Sequence, residues 1–203
     1  MVKHLFLIIF TLFILWSCCD PPVETARYEL TPYEKQLIPY YKNQKIDFIH
    51  SNGYTLKFNI TDERTEWLEH HPFCEWNCCG KEFYSFQVRS VTMKSEYPHI
   101  NINLDIGSKR DYNPENNIFI LTINNRIYTE IDYDTKGNFI NIDDDNLKKY
   151  NSLLIGNVIY HDVYEKFFSN SNTGSLEYSS FLYNSEGLLQ IKMNDNETYT
   201  IKN

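Results

Sequence analysis

Between Tyr54 and Thr61 the chain alternates without a break. Tyr54, Leu56, Phe58 and Ile60 are apolar or aromatic, and Thr55, Lys57, Asn59 and Thr61 are polar. Successive side chains of a strand point to opposite faces, so this pattern demands a strand with one dry face and one wet face. The run follows Ser51-Asn52-Gly53, and a second apolar-bearing run, Lys45 to His50, lies before that turn. Asn-Gly tolerates the positive φ of a tight hairpin turn, so the two runs are expected to pair as an antiparallel hairpin. A sheet with one apolar face must cover a core on that side.

The same signals recur downstream. Glu82 to Met93 reads as a long strand, and Ile100, Ile102, Leu104 and Ile106 alternate with Asn101, Asn103 and Asp105. Asn117 to Ile123 and Arg126 to Tyr133 flank Asn124-Asn125, and Ser152 to Ile155 and Val158 to Tyr164 flank Gly156-Asn157. Phe181 to Tyr183, Leu188 to Met193 and Glu197 to Ile201 close the chain. Roughly ten short strands at near-regular spacing predict a mainly β protein, an antiparallel sandwich, barrel or half-barrel. The 16 Tyr and 13 Phe fit that class, since aromatic residues favour strands. One helix is expected: Thr31-Pro32-Tyr33-Glu34 is a capping box with Pro at the first helical position, and Pro39 stops it. Asp62 to His71 is charged and reads as a helical turn or an irregular loop.

The N-terminus has a different logic. Lys3 precedes an apolar run from Leu5 to Trp16, broken only by Thr11. About 20 apolar residues are needed to span a bilayer, and about 7–15 form the core of a secretion signal. Leu15-Trp16-Ser17-Cys18 has the form of a lipobox, with an apolar residue three places before the cysteine and a small one just before it. Cleavage before Cys18 followed by lipidation of its thiol is therefore expected. One acyl chain holds a protein only marginally, whereas two or three make a stable anchor. The chain then divides into a signal peptide (1–17), a flexible tether (18–30, with Asp20, Pro21 and Pro22) and a single β-rich domain (31–203).

Charge narrows the partners. The signal carries one Lys and no acid, so the mature chain has a net charge of 18 − 27 = −9 with His neutral. An acidic surface argues against nucleic acid and against adsorption to anionic headgroups. The anchor is expected in the bacterial cell envelope, in the outer membrane; Asp20 and Glu24, close behind the lipidated cysteine, are only a weak sign of surface export, and the periplasmic and surface-facing orientations both stay open.

Three segments together resemble a known group. They are Ser17-Cys18-Cys19-Asp20, the run Leu154-Ile155-Gly156-Asn157-Val158-Ile159-Tyr160-His161-Asp162-Val163-Tyr164-Glu165, and Leu182-Tyr183-Asn184-Ser185-Glu186-Gly187-Leu188-Leu189-Gln190-Ile191-Lys192. The chain resembles the small exported lipoproteins of Bacteroidota-type bacteria whose function is uncharacterised. The resemblance covers about a third of the chain. It implies a β-rich envelope domain and no particular activity.

The residues with chemical potential are few. With Cys18 lipidated, Cys19, Cys74, Cys78 and Cys79 remain, and in an oxidising envelope they are first read as disulfides. A Cys78–Cys79 bridge would strain the peptide between neighbours, so Cys74 is expected to pair with Cys78 or Cys79, leaving the other to meet Cys19. The competing reading is a zinc or copper(I) site drawn from His70, His71, Cys74, Cys78 and Cys79. The spacing lacks the two separated cysteine pairs that mark structural zinc, so no metal or cofactor is expected. Asp143-Asp144-Asp145 lacks the ligand alternation of an EF-hand and reads as a solvated turn. His161 and Asp162 adjoin on a strand and face opposite sides, which precludes an acid–base pair. No nucleophile elbow, phosphate loop or His-Glu-x-x-His motif occurs.

The functional expectation is a membrane-anchored, non-catalytic binding module whose partner is an envelope protein, a glycan or an apolar ligand. A lipid or small-molecule carrier is the first alternative, and a metal or redox protein using Cys74, Cys78 and Cys79 is the second.

Overall fold

A computed structural model of the chain describes residues 22–71, 82–108, 117–125, 127–140, 146–168 and 178–202. The protein is mainly β: one twelve-stranded, almost wholly antiparallel sheet curled into a half-barrel, with a single short helix among the described residues.

In chain order the elements are β1 (Val23–Tyr28), α1 (Pro32–Lys35), β2 (Lys45–His50), β3 (Thr55–His70), β4 (Glu82–Ser95), β5 (Asn101–Ser108), β6 (Asn117–Ile123), β7 (Ile127–Tyr133), β8 (Leu147–Ile155), β9 (Val158–Phe167), β10 (Tyr178–Asn184), β11 (Gly187–Met193) and β12 (Thr198–Ile201). The spatial order is β7-β6-β5-β4-β3-β2-β12-β11-β10-β9-β8. Two runs of neighbouring hairpins are thus joined where β12 pairs with β2, with Thr200 opposite Ile49. Among the described strands, β1 makes the only parallel pairing, with Val23 opposite Glu82. It lies along the part of β4 that precedes the β5 ladder, which begins at Val88.

The expected hairpin is present, with Phe48 opposite Leu56 and Ile46 opposite Phe58. Two segments depart from expectation. Asp62 to His70 is neither helix nor loop: β3 runs straight through it, pairing with β4 from Phe58 to His70 around a register shift at Ile60/Asp62. Residues 23–28, expected within the tether, form β1. Neither segment alternates in hydrophobicity, because each belongs to an arm wetted on much of both sides. The ladder hydrogen bonds, which any side chain permits, fix them instead.

Alternation divides the sheet into an inner and an outer face. Phe48, Phe58, Met93, Ile102, Phe119, Phe181, Tyr183 and Leu188 fill the inner face. The ends of the curl meet across it: Phe119 and Tyr183 lie 4.9 Å apart between ring centres, and so do Phe139 and Tyr164. The centre holds the chain's own segment Leu30–Tyr40, of which Leu30, Leu37, Ile38 and Tyr40 are buried in this core. The predicted capping box is realised in α1. Thr31 Oγ1 accepts from Glu34 N at 3.2 Å, and Glu34 Oε2 accepts from Thr31 N at 2.6 Å.

A second, smaller core covers part of the outer face. Asp162 adopts a left-handed φ of 50° in mid-strand, so β9 changes sides there. Tyr160 and Val163, three residues apart, therefore serve the same side and pack with Ile155, Leu182 and Leu189. The tip of the β8–β9 hairpin reaches back over the sheet, where a Cβ on Gly156 would sit 4.0 Å from Thr200 Cγ2.

Candidate functional site

A groove of about 690 Å³ opens in the outer surface over β2 and β3. Its floor is the wet side of the alternating hairpin. Lys45, Asp47, Thr55, Lys57 and Asn59 point outward because Ile46, Phe48, Leu56 and Phe58 point inward. Lys45 opposes Asn59 and Asp47 opposes Lys57, so the floor is two rungs of polar pairs. Glu96 and Tyr97 of the β4–β5 turn form the rim. Ser95 ties that turn down: its hydroxyl donates to Pro98 O and accepts from Ile100 N at 3.0 Å. Tyr97 is 87% exposed, yet it stands on a backbone held by these bonds.

Within the groove, Lys45, Asp47, Lys57 and Glu96 form no ion pair with another described residue. The formal charge of the lining is +2 − 2 = 0, from Lys45 and Lys57 against Asp47 and Glu96. Such a lining offers both donors and acceptors, and its register partners Asp47 and Lys57 are not joined in an ion pair.

A smaller pocket of about 230 Å³ opens at the mouth of the half-barrel between Tyr33, Leu37, Asn138, Phe139, Asp162 and Tyr164. It is the gap left where the inner segment meets the seam. Lys149 lies 3.2 Å from Asp162 at its edge. The Lys149 ammonium is held above its usual range, first by the Tyr164 hydroxyl and then by Asp162, against its own burial.

Two buried clusters resemble chemistry and prove to be closed. The His50 ring stacks on Tyr54 with centres 4.4 Å apart and is 2% exposed. Its Nδ1 accepts from Asn52 N at 3.1 Å, which assigns the ring proton to Nε2. Nε2 lies 3.0 Å from Glu197 Oε2, too poorly aligned to count as a hydrogen bond, so the contact is electrostatic. Neither nitrogen is open to a substrate. Glu165 accepts from Tyr150 Oη at 2.7 Å, Ser180 Oγ at 2.9 Å and Lys192 Nζ at 2.7 Å. Burial alone would raise its carboxyl, but Lys192 and the two hydroxyls outweigh burial and hold it below the usual carboxylate range. A carboxylate bonded this fully is a poor base.

Of the residues singled out from sequence, Cys18, Cys19, Cys74, Cys78, Cys79 and Asp143 to Asp145 lie outside the described residues. His70 and His71 are described and are not brought together. His70 packs on Tyr84 and His71 on Phe83, and those two neighbours on β4 face opposite sides. Among the described residues, no three His, Cys, Asp or Glu side chains converge in a metal-binding group. His161 is exposed, and its carbonyl accepts from Asn184 Nδ2 at 3.2 Å. The groove itself was not anticipated. Its floor residues read as the wet half of a hairpin, and nothing in the local sequence marks Tyr97 as a rim residue.

No helix among the described residues is long and apolar enough to cross a membrane. Compared with family models, curated proteins and solved structures, the chain matches none of them.

Proposed function

We propose that the chain is an exported envelope lipoprotein, cleaved before Cys18 and lipidated there, and that its half-barrel is a non-catalytic binding module acting through its outer surface. The observation that carries the second half is the filled interior. Leu37 and Tyr40 are both held by the β10–β11 hairpin: Tyr183 Oη donates to Leu37 O, and Tyr40 Oη accepts from Leu188 N at 2.5 Å. Arg89 Nη2 donates to Tyr40 O at 2.8 Å and to Ile38 O at 3.3 Å. A carrier of apolar ligands would need this inner space, and the chain's own segment occupies it. The outer groove is open and its charged groups are unpaired among the described residues.

The start of β1 supports a short attachment. Val23 follows Cys18 by five residues, a reach of at most about 18 Å. The Val23–Glu82 end of the arm would then stand close to the membrane. β3 carries the sheet 15 residues from His70 to Thr55, or about 50 Å if fully extended, toward the groove. The parallel pairing of Val23 with Glu82 also favours a bridge from Cys19 to Cys78 or Cys79, because both chains enter their strands from the same end.

The test is metabolic labelling with a palmitate analogue in cells making the wild type and Cys18→Ala. The wild type should carry label and sediment with membranes; the variant should carry none and keep its signal. Label on the variant, or none on the wild type, would overturn the assignment.

A further inference from the structure

We propose that the outer groove over β2 and β3 binds a neutral glycan, an inference that rests on the binding-module reading and names its ligand class. The lining sets the class. Lys45 and Lys57 against Asp47 and Glu96 sum to zero, so the groove selects neither polyanion nor polycation. All four lack an ion-pair partner among the described residues and are free to bind hydroxyls. Thr55 and Asn59 add a hydroxyl and an amide, which both donate and accept.

A polyhydroxylated ligand needs this mixture of donors and acceptors, with a flat apolar surface for the C–H face of a sugar ring. Tyr97 supplies that surface. It is 87% exposed on a turn fixed by Ser95, and a tyrosine has only two side-chain torsions to order on a ligand. The volume of about 690 Å³ accommodates several sugar units rather than one.

A peptide fits less well. Among the described residues of the lining, Tyr97 is the sole aromatic and no aliphatic side chain is present to seat a peptide anchor.

The test is calorimetric titration of the full mature chain, in a detergent without a sugar headgroup, with cellohexaose, maltohexaose, xylohexaose, mannohexaose and chitohexaose. At least one should bind. Tyr97→Ala should weaken that affinity about tenfold or more, the equivalent of losing one good contact. Asp47→Ala should weaken it as well, while Ile159→Asn, on the distant hairpin surface, should leave it unchanged. Circular dichroism of each variant should match the wild type, and amide shifts on titration should centre on residues 45–59 and 96–97. Absence of binding to all five sugars, or shifts centred on the mouth pocket, would overturn the inference. Either failure in a chain that still carries acyl groups on Cys18 would leave the anchored-module reading standing.

Discussion

The Tyr40 hydroxyl accepts a hydrogen bond from the Leu188 amide at 2.5 Å, across 148 positions of sequence. Contact with Gly187 sits in the same place: a Cβ on Gly187 would overlap the Tyr40 hydroxyl, and Gly187 has a φ of 106°. The N-terminal segment and the β10–β11 turn are therefore fitted to each other, and glycine is required by both space and conformation. Gly187→Ala should cost about 2–3 kcal/mol in urea unfolding, and Tyr40→Phe, which orphans the buried amide, about 1–3 kcal/mol. In Tyr40→Phe the added cost of Gly187→Ala should shrink, because the overlapping hydroxyl is gone.

Arg89 is the second clasp on the inner segment. Its guanidinium bonds the carbonyls of Ile38 and Tyr40 and lies 3.0 Å from Glu63 Oε1. Arg89→Met should lower stability by about 2–4 kcal/mol, since two buried carbonyls lose a charged donor. Hydrogen exchange should rise first at Leu37 to Tyr40 and more slowly in β10.

Acid stability should divide between two carboxyls of opposite sign. Glu165 is held low, so its contribution is present above the unfolded value of about 4.3 and lost as pH falls through the folded one. Burial raises Asp105, against the Ser90 hydroxyl and Arg64, so ionising it costs stability as pH climbs past the unfolded value of about 3.9. Glu165→Gln should reduce stability at neutral pH and flatten the acid limb. Asp105→Asn should raise stability at neutral pH and change little once both states are protonated. Urea midpoints measured across the acid range decide both.

The two faces of the β8–β9 hairpin tip should respond oppositely to mutation. Leu154 and Ile159 are register partners, 65% and 63% exposed, whereas Tyr160 is 2% exposed in the outer core. Ile159→Asn should shift stability by less than about 0.5 kcal/mol, and Tyr160→Ala should cost about 3–5 kcal/mol.

The fold class was legible because one face of most strands is dry. The Tyr54 to Ile60 alternation and the Thr31–Glu34 box each encode a local geometry, and both recur in the structure as read. Asp62 to His70 was misread as a turn or loop because ladder hydrogen bonds, rather than a dry face, hold that arm. The strands of β8 and β9 run longer than their apolar segments for a related reason: Lys148, Lys149 and Glu165 lie on paired backbone yet look like loop residues. The groove was illegible because its parts come from β2, β3 and the β4–β5 turn, and each part alone is an ordinary wet surface. The filling of the interior depended on Leu30 to Tyr40 meeting β10 and β11, a contact across the whole chain that no local pattern carries.

The measurement that most directly tests a lipid-anchored binding module with a self-filled interior is native mass spectrometry of the protein extracted from its own membranes, with parallel thiol alkylation. The account predicts a chain beginning at Cys18, carrying acyl groups there, with no alkylatable thiol and no tightly held apolar ligand. A chain retaining Met1, an unmodified Cys18, or a stoichiometric lipid inside the half-barrel would contradict it.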